Sequence, residues 1–197
     1  MKIKALFIIL ILQTFGSSLL ANTPTTSLET AVNELIGIAS NANLSSDQKR
    51  AGLEKILLRE VDLEAMSRRV VSKHWKNATD AQKDEFKSQF LQIIVNTYAS
   101  LLDSYNNEKV VFESEDIKKD RYATVDTHIA ASDKKIPVRY RMIKHNNAWK
   151  IYDFIPEGIS IVSNYKNNYA SILSKDGMDA LLVEMKKKAE EKSDEAN

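Results

Sequence analysis

The side chains that could do chemistry are few and scattered. There are three histidines, His74, His128 and His145, and no cysteine. No histidine stands three or four residues from another, so a zinc site would have to be assembled from distant segments. The five glycines form no phosphate-cradling loop, and no Gly-x-Ser-x-Gly elbow occurs. The acid–base constellation with most footing is Asp126, His128 and Asp153. All three fall on expected strands, from which they could reach into a cavity between a sheet and helices as proton donors or acceptors. A strand Asp or His more often lies on the wet face or satisfies a hydrogen bond. No catalytic residue and no metal ligand is therefore assigned. A small-molecule enzyme or isomerase-like protein using these three residues stands as the alternative reading.

The elements that would position such groups are legible from periodicity. Leu28, Val32, Leu35 and Ala39 form the stripe of a first helix, preceded by a leader from Asn22 to Thr25 expected to be disordered. A second helix, capped by Ser45 or Ser46, carries Leu53, Ile56, Leu57 and Val61. A short third runs from Asp62 to Val70, with Arg68 and Arg69 on a solvated or ion-paired face. The fourth is signalled most strongly, because Thr79 and Gln82 form a capping-box pattern and no Gly or Pro interrupts it as far as Ser104. It carries two apolar stripes, Phe86, Phe90, Ile93, Ile94, Thr97 and Leu101, and Leu91, Val95, Tyr98, Leu102 and Tyr105. An arc that wide is either sandwiched between two layers or lends one stripe to a ligand.

From Lys109 the period becomes alternating. Strands are expected from Val110, over Tyr122–Ala130, over Lys135–His145 and over Ala148–Ile155, with turns at Ser132-Asp133 and Asn146-Asn147. Connections this short require antiparallel pairing. In the last strand Trp149, Ile151 and Ile155 alternate against Tyr152 and Phe154. It then passes through Pro156-Glu157-Gly158 into a helix bearing Ile159, Val162 and Tyr165. A further helix follows Gly177, and a charged tail from about Lys186 is expected to fray. These elements make one α+β domain, a twisted antiparallel sheet of about four strands packed by helices, with an apolar cavity between the layers.

Lys2 and Lys4 precede an apolar run from Ala5 to Leu12, after which the chain turns polar and small. This is the pattern of a secretory signal peptide, residues 1–21, cleaved after Ala21 or alternatively after Ser18. The mature chain, 22–197, would have no cysteine for a lipid anchor or disulfide and would rest on its core. The 28 Lys and Arg less Lys2 and Lys4 leave 26 against 27 Asp and Glu, a net charge of −1. That balance, without a basic run, excludes the electrostatic footprint of a nucleic-acid binder.

The surplus of apolar helix surface fits an exported carrier for an apolar molecule. A structural adaptor would need an exposed apolar patch in place of a cavity. Particular stretches then narrow the reading: Val61–Val71 with Trp75, Thr79–Phe90 with Thr97-Tyr98, Ile136-Pro137-Val138-Arg139-Tyr140-Arg141, Trp149-Lys150-Ile151-Tyr152-Asp153, Glu157-Gly158-Ile159-Ser160 and Asn164-Tyr165. In this order they resemble MlaC, the toluene-tolerance family of periplasmic phospholipid-binding proteins, across Leu28 to Leu182. The chain departs from the family at Leu63, where Phe is frequent, at Pro156, and in its charged tail.

The resemblance implies a monomeric periplasmic shuttle with no cofactor, carrying a glycerophospholipid as cargo. Its implied partners are an outer-membrane lipoprotein complex and an inner-membrane ABC transporter with a lipid-binding periplasmic ring. The cargo's acyl chains would lie between sheet and helices, with the headgroup largely exposed. The implied lining is Tyr98, Leu101, Val125, Ile129, Val138, Tyr140, Met142, Ile151, Phe154, Ile159, Val162 and Tyr165.

Overall fold

A computed structural model describes residues 22–131 and 134–194. The expected signal peptide, residues 1–21, the expected turn at Ser132-Asp133 and the last three residues lie outside them. The helices are α1 (Pro24–Ser40), α2 (Ser46–Glu60), α3 (Leu63–Val71), α4 (Asp80–Asp103), α5 (Ile161–Lys175) and α6 (Gly177–Asp194), with a 3-10 turn at Ser72–Asn77 after α3. The strands β1 (Lys109–Lys118), β2 (Tyr122–Ala130), β3 (Lys135–His145) and β4 (Ala148–Pro156) pair in sequence order as an antiparallel meander. The α+β architecture with a four-stranded sheet is the one expected.

Local chemistry explains the boundaries. Capping boxes close the N-termini of α2 (Ser45 with Gln48) and α4 (Thr79 with Gln82), each satisfying orphan N–H groups reciprocally. Asn146 and Asn147, at φ 45° and 66°, supply the left-handed pair that a two-residue hairpin needs. Lys119 and Asp120 do the same between β1 and β2, at φ 53° and 49°.

Four expectations are corrected. The segment at Asn22–Thr25 is ordered: Thr23 and Thr26 form a third capping box with Pro24 in the first turn, and the Trp149 indole donates to the Asn22 carbonyl at 3.2 Å. Helix α5 starts at Ile161 behind the cap Ser160, which leaves Ile159 in the preceding turn and 60% exposed. There the chain reverses through Glu157 and Gly158, at φ 49° and 82°. The charged tail continues as helix through Asp194.

The fourth correction concerns β4. Its register with β3 slips between Arg141↔Asp153 and Met142↔Ile151, leaving Tyr152 as an extra residue. Such a bulge resets the pleat. Phe154, opposite Tyr140, therefore lies on the same face as Ile151, opposite Met142, and not on the reverse face as strict alternation required. Just before the bulge the joint between α2 and α3 grips the outer edge of β4. Val61 bridges Ile151, and the Asp62 N–H donates to the Ile151 carbonyl at 2.8 Å. An otherwise unpaired strand edge is thereby covered.

Three packed regions surround this arrangement. Met66, Val70, Phe86, Phe90, Leu181 and Met185 join α3, α4 and α6 to α5. Leu28 of α1 lies over Ala123, Val125, Met142 and Trp149 of the sheet. Ala39, Leu53 and Leu102 join α1, α2 and α4.

Candidate functional site

Between these packed regions is a cavity of about 300 Å³. Its helical walls are Leu28, Val32, Leu35 and Ile36 of α1, Leu53, Ile56 and Leu57 of α2, Met66 of α3, and Leu91, Ile94, Tyr98, Leu101 and Leu102 of α4. The sheet contributes Val110, Ile129, Tyr140, Ile151 and Phe154, and Ile161 comes from the start of α5. Among the described residues the one charged liner is Glu60, whose carboxylate is 2.5 Å from the Arg59 guanidinium. Phe154 stands between two tyrosines, edge-on to Tyr98 at 5.7 Å and tilted against Tyr140 at 5.4 Å. Burial raises both phenol pKa values, that of Tyr140 to about 12, so these rings stay neutral at physiological pH. Leu101 is 60% exposed and stands in the wall near the end of α4, where apolar surface meets solvent. A space so walled offers little to an ion and a great deal to hydrocarbon.

Six of the twelve expected liners meet here: Tyr98, Leu101, Ile129, Tyr140, Ile151 and Phe154. The other six lie elsewhere, for identifiable reasons. Val125 and Met142 are packed beneath Leu28 and Trp149. Val138, 2% exposed, sits opposite Thr127 and Pro156, beyond the cavity. Val162 and Tyr165 belong to the packed cluster of α3, α4, α5 and α6; the Tyr165 ring is 5.1 Å from Phe90. Ile159 lies in the turn before α5. The liners not anticipated come chiefly from α1 and α2. Their signal, the stripe Leu28, Val32 and Leu35 with Leu53, Ile56 and Leu57, is visible in the sequence but reads equally as core.

None of the acid–base candidates lines the cavity. Asp126 and His128 alternate with Val125, Thr127 and Ile129 and so occupy the opposite face of β2. Asp126 accepts from Arg139 at 2.6 and 3.2 Å and from Ser114 at 3.2 Å. His128 Nδ1 is 2.7 Å from a Glu113 carboxylate oxygen. Asp153, 2% exposed, accepts from the Phe154 N–H, the Val162 N–H, the Ser160 hydroxyl and Arg141, at 2.8–3.2 Å. It thereby fastens the end of β4 to the N-terminus of α5. His145 Nε2 is 2.7 Å from Asp62, whose other oxygen caps α3 at the Ala65 N–H. Among the described residues no three His, Asp or Glu side chains gather as a metal site, and no helix is long and apolar enough to cross a membrane.

A family model described as MlaC protein matches residues 29–187. The chain belongs to the MlaC family. The intermembrane phospholipid transport system binding protein MlaC of Haemophilus influenzae is 28% identical over 138 residues, 68% of this chain and 64% of that protein, just under two thirds of its length. Toluene tolerance protein ttg2D of Pseudomonas putida is 24% identical over 169 residues, covering 81% of this chain and 77% of that one. Among solved structures, a phospholipid-binding protein from Ralstonia solanacearum, determined in complex with a phospholipid, superposes with a TM-score of 0.78. It is 20% identical, and the match covers 88% of this chain and 98% of that chain. The MlaC fold is thus common to proteins whose sequences have diverged widely.

Proposed function

We propose that this chain is a phospholipid carrier of the periplasm, a single domain left after removal of residues 1–21. The reading rests on the apolar cavity between α1, α2, α4 and one face of the sheet. The names of the Haemophilus relative and of the Ralstonia structure support the choice of a phospholipid over other apolar cargo. Acyl chains enter the cavity beside Leu101 and lie against Tyr98, Tyr140, Ile151 and Phe154. Each methylene withdrawn from water contributes about 0.8 kcal/mol, so ten contribute about 8 kcal/mol, on the scale of a micromolar Kd without any headgroup contact. The carrier shuttles glycerophospholipids between an outer-membrane lipoprotein complex and an inner-membrane ABC transporter with a lipid-binding periplasmic ring, maintaining outer-membrane lipid asymmetry. The lipid is carried unchanged.

Vesicles provide the test. The mature protein is expected to accelerate movement of a fluorescent two-chain phospholipid from donor to acceptor vesicles, with the lipid recovered intact. No acceleration, or recovery of hydrolysed lipid, would contradict a carrier.

A further inference from the structure

Where α3 meets the end of β3 and the start of β4 there is an open cleft of about 730 Å³, remote from the exposed rim of the cavity. Tyr122, Ile143 and Lys150 stand opposite one another at this end of the sheet. Val110 and Ile129, which line the cavity with Leu101, pair near the other end. A closed seam separates the two spaces: Val61 bridges Ile151, and the Asp62 N–H donates to the Ile151 carbonyl at 2.8 Å. Cargo in the cavity does not cross it, so the occupant of the cleft comes from outside.

The cleft is cationic. Arg59, Arg68, Lys87, Arg121 and Lys150 line it against the carboxylates of Asp62 and Glu64. Arg59 is matched by Glu34 and Glu60, each at 2.5 Å, and Lys87 by Asp84 at 2.8 Å and Glu64 at 3.4 Å. Asp62 caps α3 at the Ala65 N–H and lies 2.7 Å from His145. Arg68, Arg121 and Lys150 have no carboxylate partner among the described residues. Lys150 donates to the Arg59 carbonyl, the Arg121 guanidinium lies 5.7 Å from the Tyr122 ring centroid, and Arg68 is exposed. These three cations come from separate elements, α3, the turn between β1 and β2, and β4. Apolar surface stands among them: Leu58 of α2, 58% exposed, and the half-buried Leu63 line the same cleft.

Unpaired cations on separate elements, with an exposed leucine in the same concavity, complement a chain that carries several carboxylates and an apolar side chain. A small anion would engage one or two of the cations and leave Leu58 in water. We propose that the cleft docks an acidic, leucine-bearing segment of a partner protein, with its carboxylates on Arg68, Arg121 and Lys150 and its apolar side chain on Leu58. Charges at such an open site set encounter rate and partner choice, so the contact is salt-sensitive and reversible. Docking there is independent of what the cavity holds, and failure of the carrier reading would leave it standing.

The test is fluorescence anisotropy of the mature protein with a short fluorescein-labelled peptide of alternating glutamate and leucine, and with its counterpart in which glutamine replaces glutamate. Wild type is expected to bind the glutamate peptide about tenfold more tightly than the glutamine one, and high salt should abolish the difference. The Arg68→Gln/Arg121→Gln/Lys150→Gln variant should lose about tenfold in affinity for the glutamate peptide, about 1.4 kcal/mol shared among three part-exposed charge pairs. Leu58→Ser, at an exposed position outside the cavity, should lose about threefold and keeps the test open if the triple variant folds poorly. Equal binding of the two peptides by wild type, or an affinity for the glutamate peptide unchanged in both variants, overturns the docking site. Phosphatidylglycerol vesicles that bind wild type but not the triple variant, with no binding of the glutamate peptide to either, would assign the cleft to a membrane surface and overturn the protein partner.

Discussion

Ile151 and Val162 were equivalent candidates in the sequence, and the structure separates them. Ile151 is half-buried in the sheet wall of the cavity, whereas Val162 is 7% exposed within the packing of α3, α4, α5 and α6. In Ile151→Glu the empty cavity leaves the new carboxylate hydrated, so folding should cost about 1 kcal/mol. An acyl chain entering that space must strip the carboxylate of water with no cation to replace it, a penalty of several kcal/mol for an unpaired ion. Taking about 3 kcal/mol, lipid affinity should fall roughly 150-fold. Val162→Glu instead buries an unpaired charge in the core, at about 4 kcal/mol or more, a large share of the ~5–15 kcal/mol that holds a domain together. Thermal unfolding followed by circular dichroism, with lipid extraction from the same preparations, should show Ile151→Glu folded and empty and Val162→Glu largely unfolded. A folded Val162→Glu that has lost lipid, alongside an Ile151→Glu that keeps it, would refute the assignment and make α5 the wall.

Other perturbations test other joints. Asp153→Ala leaves the Ser160 hydroxyl and the Phe154 and Val162 N–H groups without their acceptor, and chemical denaturation should register a loss of about 2–4 kcal/mol, partly restored in Asp153→Asn. Thr79→Ala removes the α4 cap and should cost about 1 kcal/mol in the same assay. The Arg139 hydrogen bonds hold the Asp126 carboxyl below its usual value of 3.8. A depressed folded-state pKa stabilises above the unfolded value, and the contribution disappears as pH falls below 3.8 through the folded one. The pair is part-exposed, so Asp126→Asn should cost at most about 1 kcal/mol at neutral pH, with wild type and variant converging under strong acid.

Local signals carried most of the fold. The bounds of β2 and β3 and the cap at Thr79 follow from alternation and from side-chain groups within four residues of each other. The bulge at Tyr152 has no such signature, and it is what brings Phe154 round beside Ile151. Whether a stripe meets another layer closely or stands off from it is a tertiary distance, which periodicity does not contain. Leu28 illustrates the point by doing both, packing on Trp149 and also lining the cavity. The apolar half of α5 was readable, but its partners proved to be chiefly other helices. Arg68 read as an ordinary solvated charge, and only the fold places it in one cleft with Arg121 and Lys150.

The central claim is that the cavity holds lipid chains, and native mass spectrometry of the gently purified mature protein tests it most directly. The expected spectrum shows the protein mass increased by that of one two-chain phospholipid, released intact on activation and absent from Ile151→Glu. A wild-type spectrum at the bare protein mass, with no lipid in an organic extract of the same sample, would contradict it.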